Sequence, residues 1–450
     1  MRSILKAMTR PHASSGWLWA GIVALLLTAC GGAGLPAGDV APQRHVYIAT
    51  VDIDAGADRA AVASAFGGDV LTWLPEAGFA VLGFHATPNG VSLLSTTDLN
   101  QDVVGVPDEV VDEEAEAAGV SAWAGGVSAW AGGVSAWAGG VSAWAGGTAN
   151  PFPGNDQPWA QIGLGQAQEL ATQLGQGVLV AVIDTGIDLQ HSGFTGRLAP
   201  ASIWLDLVDG DAYPHEGYEP VLRNGAWVLE PTGTGDYFGH GTAAAGIVLQ
   251  AAPLATILPI RVLNSQGRGD ASNIVKAIDH AVAHGARVIN LSLGTKNNVR
   301  AIQAMVDYAH GLGVVVVASS GNSGNTRVTY PAVTAAKGAY VHAIGVGSVD
   351  ADDRKSSFST YGADLEMLAP GSGIATLFPG EATALVNGTS FAAPWVSGVA
   401  ALAIAEGIVA PAQPIVDASA NVDGVNPAFA GLLGKGRLDA YVAVAQLLGH

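Results

Sequence analysis

From Val178 to Ile183 the chain reads Val-Leu-Val-Ala-Val-Ile without a polar break, then meets Asp184-Thr185-Gly186. A short apolar run bounded by turn residues predicts a strand buried on both faces. Strand patterns recur at Arg287–Leu293, Val314–Ser319 and Val341–Val346, while Trp159–Leu174, Ile274–His284 and Ala301–Gly311 carry helical periodicity. Strands alternating with helices predict an α/β domain whose parallel sheet is covered on both sides. Ligands of such sheets bind beyond the carboxyl ends of the strands. Asp184 and the loops after Leu293 and Ser319 therefore lie on the functional edge.

Two other stretches end at chemistry-bearing residues. Gly239-His240-Gly241-Thr242 opens a small-residue run that reads as a helix, and Asn387-Gly388-Thr389-Ser390 runs directly into another. A serine before a helix is ordinarily an N-cap. The same position also offers unpaired N–H groups and a dipole that favour developing negative charge. A serine hydroxyl is a weak nucleophile near neutral pH and needs an adjacent base. Aspartate, histidine and serine stand in that chain order, each at the end of an element.

The boxes AVIDTGID, GHGTAAAG and NGTSFAAP, taken together, resemble the subtilisin family of serine peptidases. The resemblance covers residues 155–450. It implies a three-layer α/β fold with a mainly parallel sheet, and endopeptidase activity through an acyl-enzyme intermediate. It also implies that His240 takes the proton of Ser390 and that Asp184 holds the imidazole tautomer. In Ser319-Ser-Gly-Asn-Ser-Gly324, Asn322 would donate its amide to the oxyanion. Ser292, Leu293 and Gly294 would pair with substrate backbone and wall the first specificity pocket, with Thr329 near its floor. The pocket segments carry no acidic residue, so cleavage after apolar or medium-sized residues is expected. No cofactor is needed for catalysis. The helix after His240 lacks the asparagine-rich loop that carries calcium in some members. Structural calcium is thus left to acidic loops such as Asp206–Asp211, for which a solvated loop is the alternative. Asp206–Asp236 is expected to add a surface loop beside the cleft. His191, His215, His280, His284 and His310 show no ligand spacing.

The N-terminus reads as a targeting segment. Arg2, Lys6 and Arg10 precede the apolar run Trp17–Ala29, and Leu27-Thr-Ala-Cys30-Gly-Gly resembles the lipobox of bacterial lipoproteins. That implies a signal over residues 1–30, lipidation at Cys30 and a tether over 31–44; an ordinary secretory signal is the alternative. Cys30 is the only cysteine, which excludes an intramolecular disulfide. Residues 45–111 read β-α-β-β-α-β, the order of a ferredoxin-like unit. Position and pattern are similar to the inhibitory propeptides of the same family, with an independent ligand-binding module as the alternative. Residues 112–154 hold an acidic patch and four tandem copies of Val-Ser-Ala-Trp-Ala-Gly-Gly. Its glycines oppose a helix, and its odd period would throw the tryptophans onto alternate faces of a strand. A linker is the expectation.

Apolar residues make up 49% of the chain and charged ones 13%, a globular rather than a disordered balance. The net charge of −19 argues against a nucleic-acid partner on electrostatic grounds. The expectation is an exported serine endopeptidase acting on proteins or peptides. Its own prodomain would be an intramolecular inhibitor, and a lipid would be its sole membrane contact. The competing reading is a non-catalytic adhesion protein on the same scaffold, binding through its tryptophan repeats.

Overall fold

The computed structural model describes residues 45, 47–85, 106–107, 110–112, 153–223, 226–233, 237–296, 298–333 and 342–450. The targeting segment with Cys30, the tether, the helix expected at Gly90–Thr97 and the tandem repeats lie outside them. All described residues fall in one compact unit, His45–His450.

Its N-terminal part runs β1 (Tyr47–Asp52), α1 (Arg59–Phe66), β2 (Asp69–Leu74), β3 (Phe79–Phe84), β4 (Val106–Pro107) and β5 (Val110–Asp112). Asp58 caps α1 by accepting from the Ala61 N–H, and Gly67 closes it in a left-handed conformation. The first four strands form an antiparallel sheet of order β2-β3-β1-β4. With α1 between β1 and β2, this is a split β-α-β arrangement in which β1 and β2 flank β3.

The larger part begins with α2 (Asp156–Gln161) and α3 (Leu164–Leu170). One helix over Trp159–Leu174 was the expectation. The chain breaks it at Gly163, which takes φ +64°, and leaves helix altogether after Leu170. The next elements are β6 (Leu179–Asp184), β7 (Leu205–Asp206), the hairpin β8 (Tyr218–Arg223) with β9 (Ala226–Pro231), and α4 (His240–Ala251). Then come β10 (Thr256–Arg261), β11 (Arg268–Asp270), α5 (Ala271–Ala283), β12 (Val288–Leu291), α6 (Arg300–Gly311), β13 (Val315–Ser319), β14 (Ala343–Val349) and β15 (Met367–Pro370). The hairpin β16 (Ile374–Phe378) with β17 (Ala382–Val386) leads into α7 (Thr389–Ala405), followed by α8 (Ala412–Asp417) and α9 (Ala440–Leu448).

Seven strands make a parallel sheet in the order β15-β14-β13-β12-β6-β10-β7. Its continuous apolar runs follow from burial on both faces. Along β6, Val180 and Val182 join the core beneath α4 and α7, whereas Ala181 and Ile183 join the core beneath α5 and α6. Side chains alternate along a strand, so Asp184 falls on the side of Val180 and Val182, where α4 lies. The three-layer α/β architecture is the expected one.

The small sheet lies against the outer face of α5 and α6. Ile48, Leu74 and Val81 share a core with Ile274, Ile278 and Met305. At the margin, Phe79 meets Tyr308 edge-on at 6.3 Å, and the Tyr308 hydroxyl donates to Glu76 at 3.3 Å. Beyond that face, β5 pairs antiparallel with β11, Val110 opposite Asp270 and Asp112 opposite Arg268.

Candidate active site

Three element ends meet at the carboxyl edge of the sheet. Asp184 closes β6, His240 opens α4 and Ser390 opens α7, each no more than 2% exposed. Asp184 Oδ1 accepts from His240 Nδ1 at 2.7 Å and from the Thr185 N–H at 2.7 Å. A second bridge ties the same two elements, as the Gly241 N–H donates to Thr185 Oγ1 at 2.9 Å. This close approach needs a glycine: a Cβ on residue 241 would fall 2.1 Å from the Gly186 carbonyl oxygen. With Nδ1 engaged by Asp184, the ring can exchange a proton through the opposite nitrogen, Nε2. The ring also faces Phe391, the residue after Ser390, at 5.0 Å between centroids.

Ser390 is positioned by an irregularity in its own helix. Pro394 lies inside α7 and has no N–H to give the carbonyl four residues back, which is that of Ser390. Ser292 fills the gap: its hydroxyl donates to the Ser390 carbonyl at 2.6 Å. Asn290 donates to Ser292 Oγ at 2.9 Å and accepts from Ser397 one turn or more along α7, also at 2.9 Å. The end of β12 is thereby stitched to the start of α7 by buried polar groups. The Ser390 hydroxyl in turn points at the Ser292 carbonyl, 3.3 Å away. Gly388 precedes the helix at φ +155°, ψ +153°, a region essentially reserved for glycine.

Asn322 follows β13 and is 6% exposed. Its Oδ1 accepts from the Thr389 N–H and from Thr389 Oγ1, both at 2.9 Å. A backbone N–H can only donate, so these contacts fix which end of the amide is oxygen. Nδ2 therefore points away from Thr389; a Cβ on Gly388 would sit 3.7 Å from it. Thr329 stands behind Gly294: its Oγ1 would be 2.6 Å from a Cβ there, and it donates to the Ser319 carbonyl at 3.2 Å. Leu293 is buried in the core beneath α5 and α6. Thr295 and Tyr330 exchange backbone hydrogen bonds at 2.9 Å each, which holds the two segments expected to form the pocket side by side.

The acidic loop receives a partner of a different kind from the calcium considered for it. Asp206 is buried and pairs with Arg261 at 2.8 Å, and Asp209 reaches the same guanidinium. The segment after it does add surface structure, the hairpin of β8 and β9.

Before that hairpin lies a residue that sequence reasoning missed. Glu216 is buried, and its Oε2 accepts from Thr185 Oγ1 at 2.7 Å, one residue from Asp184. Burial pushes the Glu216 carboxyl up to about 8, and the Asp184 charge adds in the same direction. The protonated, neutral form is thus favoured below about pH 8. The consequence for stability has a definite sign. Folding raises this acid above its ordinary 4.5, so the stability present at low pH is lost as pH climbs from about 4.5 through about 8. At 1.36 kcal/mol per unit the loss is on the order of 5 kcal/mol by the end of that window. In a Ser390→Ala background, Glu216→Gln is expected to flatten the decline of the denaturant midpoint between pH 5 and 8. An unchanged slope would place the titration elsewhere.

With this geometry in view, residues 175–411, more than half of the chain, match the subtilase family, Peptidase_S8. Thermitase of Thermoactinomyces vulgaris is 36% identical over 291 residues, 62% of this chain and 92% of thermitase. Subtilisin BL of Lederbergia lenta is 36% identical over 260 residues, 54% of this chain and 83% of that protein. Among solved structures, the prenylagaramide maturation protease PagA superposes with a TM-score of 0.50 at 23% identity, covering 63% of this chain and 99% of that one, a likeness of fold. The chain belongs to the subtilase family and is a serine-type endopeptidase.

Proposed function

We propose that the chain hydrolyses internal peptide bonds through Asp184, His240 and Ser390, and that it is made as an exported, self-inhibited precursor. The observation that carries the catalytic reading is the buried 2.7 Å contact between Asp184 Oδ1 and His240 Nδ1, set beside the start of α7. In this reading Ser390 Oγ attacks the substrate carbonyl as His240 Nε2 accepts its proton. His240 then returns the proton to the leaving amine, which leaves an acyl group on Ser390. Water, deprotonated by the same imidazole, frees the acid. Asp184 keeps the Nδ1–H tautomer and stabilises the imidazolium. The tetrahedral oxyanion is held by Asn322 Nδ2 and the backbone N–H of Ser390. Gly294 and Thr329 line the first pocket, where Thr329 Oγ1 is spent on the Ser319 carbonyl, and apolar or medium-sized side chains before the cut are the substrates this reading expects.

Self-inhibition is supported by the pairing of β5 with β11. Strand addition through backbone hydrogen bonds is how an extended peptide joins a sheet edge. The loop before β11 lies beside the site, since the Tyr237 N–H donates to the Ser265 carbonyl and the Tyr237 ring lies 6.0 Å from that of His240. A segment paired with β11 as β5 is would keep a substrate strand out. Residues after Asp112 would then carry the maturation cut, between Asp112 and Asn150. Anchoring through a lipid on Cys30 makes that cut a release step. The test is to express the wild type and Ser390→Ala side by side. The wild type is expected to yield a soluble fragment whose N-terminus lies between Asp112 and Asn150, while Ser390→Ala stays full-length and membrane-associated. Identical fragments from both would assign the cut to another protease.

A further inference from the structure

Outside the active site, three metal-ligating side chains from separate strands converge at one end of the small sheet. His45 precedes β1, Asp69 opens β2 and His85 follows β3. Register explains the meeting: Tyr47 lies opposite Phe84, and Asp69 opposite Gly83. Asp69 Oδ2 lies 3.0 Å from His45 Nε2 and 2.9 Å from His85 Nε2, and the two rings stack at 4.6 Å. All three donor atoms lie within 4.8 Å of one another. We propose that His45, Asp69 and His85 bind a divalent transition-metal ion of the zinc type, with water as the fourth ligand.

Two imidazoles and one carboxylate are donors that suit zinc, copper or nickel rather than calcium or magnesium. A tetrahedral ion with bonds of about 2.0–2.1 Å separates its ligand atoms by about 3.3 Å. The Asp69 contacts therefore need to open by only a few tenths of an ångström, within the reach of small side-chain rotations. The backbone is shaped for the cluster. A Cβ on Gly83 would fall 2.6 Å from His45 Cδ2, so this glycine is what allows the imidazole to lie across β3. Side-chain exposure is graded, 14% for His45, 40% for His85 and 63% for Asp69, which leaves an open side for entry and for the water. The other stacked pair on Asp307, His310 with His342, does not bring three donor atoms within that distance.

A bound ion would cross-link β1, β2 and β3. Because the unfolded chain lacks the site, binding stabilises the folded small domain. At a free zinc concentration about 100 times the dissociation constant, its unfolding constant falls about 100-fold. Binding does not depend on whether this domain inhibits the peptidase. The test uses the full chain carrying Ser390→Ala, which keeps the N-terminal part attached. Parent, His85→Ala, Asp69→Asn and the control His342→Ala are titrated with zinc chloride and, separately, with cobalt(II). Parent and control are expected to bind one equivalent more than His85→Ala and Asp69→Asn, and to show the intense visible band of tetrahedral cobalt. Chelator should lower the melting temperature of parent and control alone. The proposal is overturned if the parent binds neither ion, or if His85→Ala and Asp69→Asn bind as many equivalents as the parent.

Discussion

Ser390→Ala and His240→Ala are each expected to lower peptide hydrolysis by about 10⁶-fold, and the double variant by no more than either alone. In the proposed mechanism the two groups perform one event. Without His240 nothing at hand removes the Ser390 proton, and without Ser390 the imidazole has no nucleophile to activate. Asp184→Asn should cost less, about 10⁴-fold, because the ring can remain in place while its tautomer is wrong. Stability should separate from activity here. Ser390 Oγ makes a long contact of 3.3 Å to the Ser292 carbonyl, whereas the strong bond of this residue, 2.6 Å from Ser292 Oγ, uses its backbone carbonyl and survives the substitution. Turnover of a matched peptide by purified single and double variants, with melting curves alongside, measures both. A double variant about 10¹²-fold down would mean that the two groups act independently.

Asn322→Ala should lower kcat by about 10²–10³-fold with little change in KM. Oδ1 is held by two donors from Thr389, so in the proposed role Nδ2 would be pre-aimed and its contact would strengthen as negative charge develops on the substrate oxygen. Alanine also leaves the buried Thr389 N–H without that acceptor, at a cost of about 1–3 kcal/mol in stability. Kinetics must therefore be taken well below the melting temperature. Asn322→Asp sharpens the comparison. It keeps an acceptor for Thr389 but faces the oxyanion with a second oxygen, so stability recovers while kcat does not. A rise in KM at constant kcat would instead make Asn322 a ground-state binding residue.

What the sequence disclosed here was whatever one strand or helix can say alone. The run into Asp184 encodes a doubly buried strand, and the small residues after His240 and Ser390 encode helices that pack tightly. Gly398 illustrates the second point, since a Cβ there would lie 2.3 Å from Ala251 Cβ on α4. Pairings across the chain were not legible. Glu216 reaches Thr185 from 31 residues away, in a segment with no periodic pattern. Arg261 claims Asp206 only because β7 and β10 run side by side. His45, Asp69 and His85 meet through the order of three strands, and no spacing in the sequence encodes that. One long-range contact did leave a trace. Pro394, placed four residues after Ser390 in a helical pattern, announces a carbonyl in need of an outside donor, which Ser292 supplies.

The proposed mechanism requires that Ser390 be reactive only if His240 can take its proton while Asp184 steadies the ring. An organophosphate-type serine probe reads that condition directly, followed by intact mass and peptide mapping of the mature fragment. One adduct, on Ser390, is expected in the folded wild type. None is expected in His240→Ala or after denaturation, and Asp184→Asn should label far more slowly than the wild type. Labelling of His240→Ala at the wild-type rate, or an adduct on any other serine of an active preparation, would contradict the assignment.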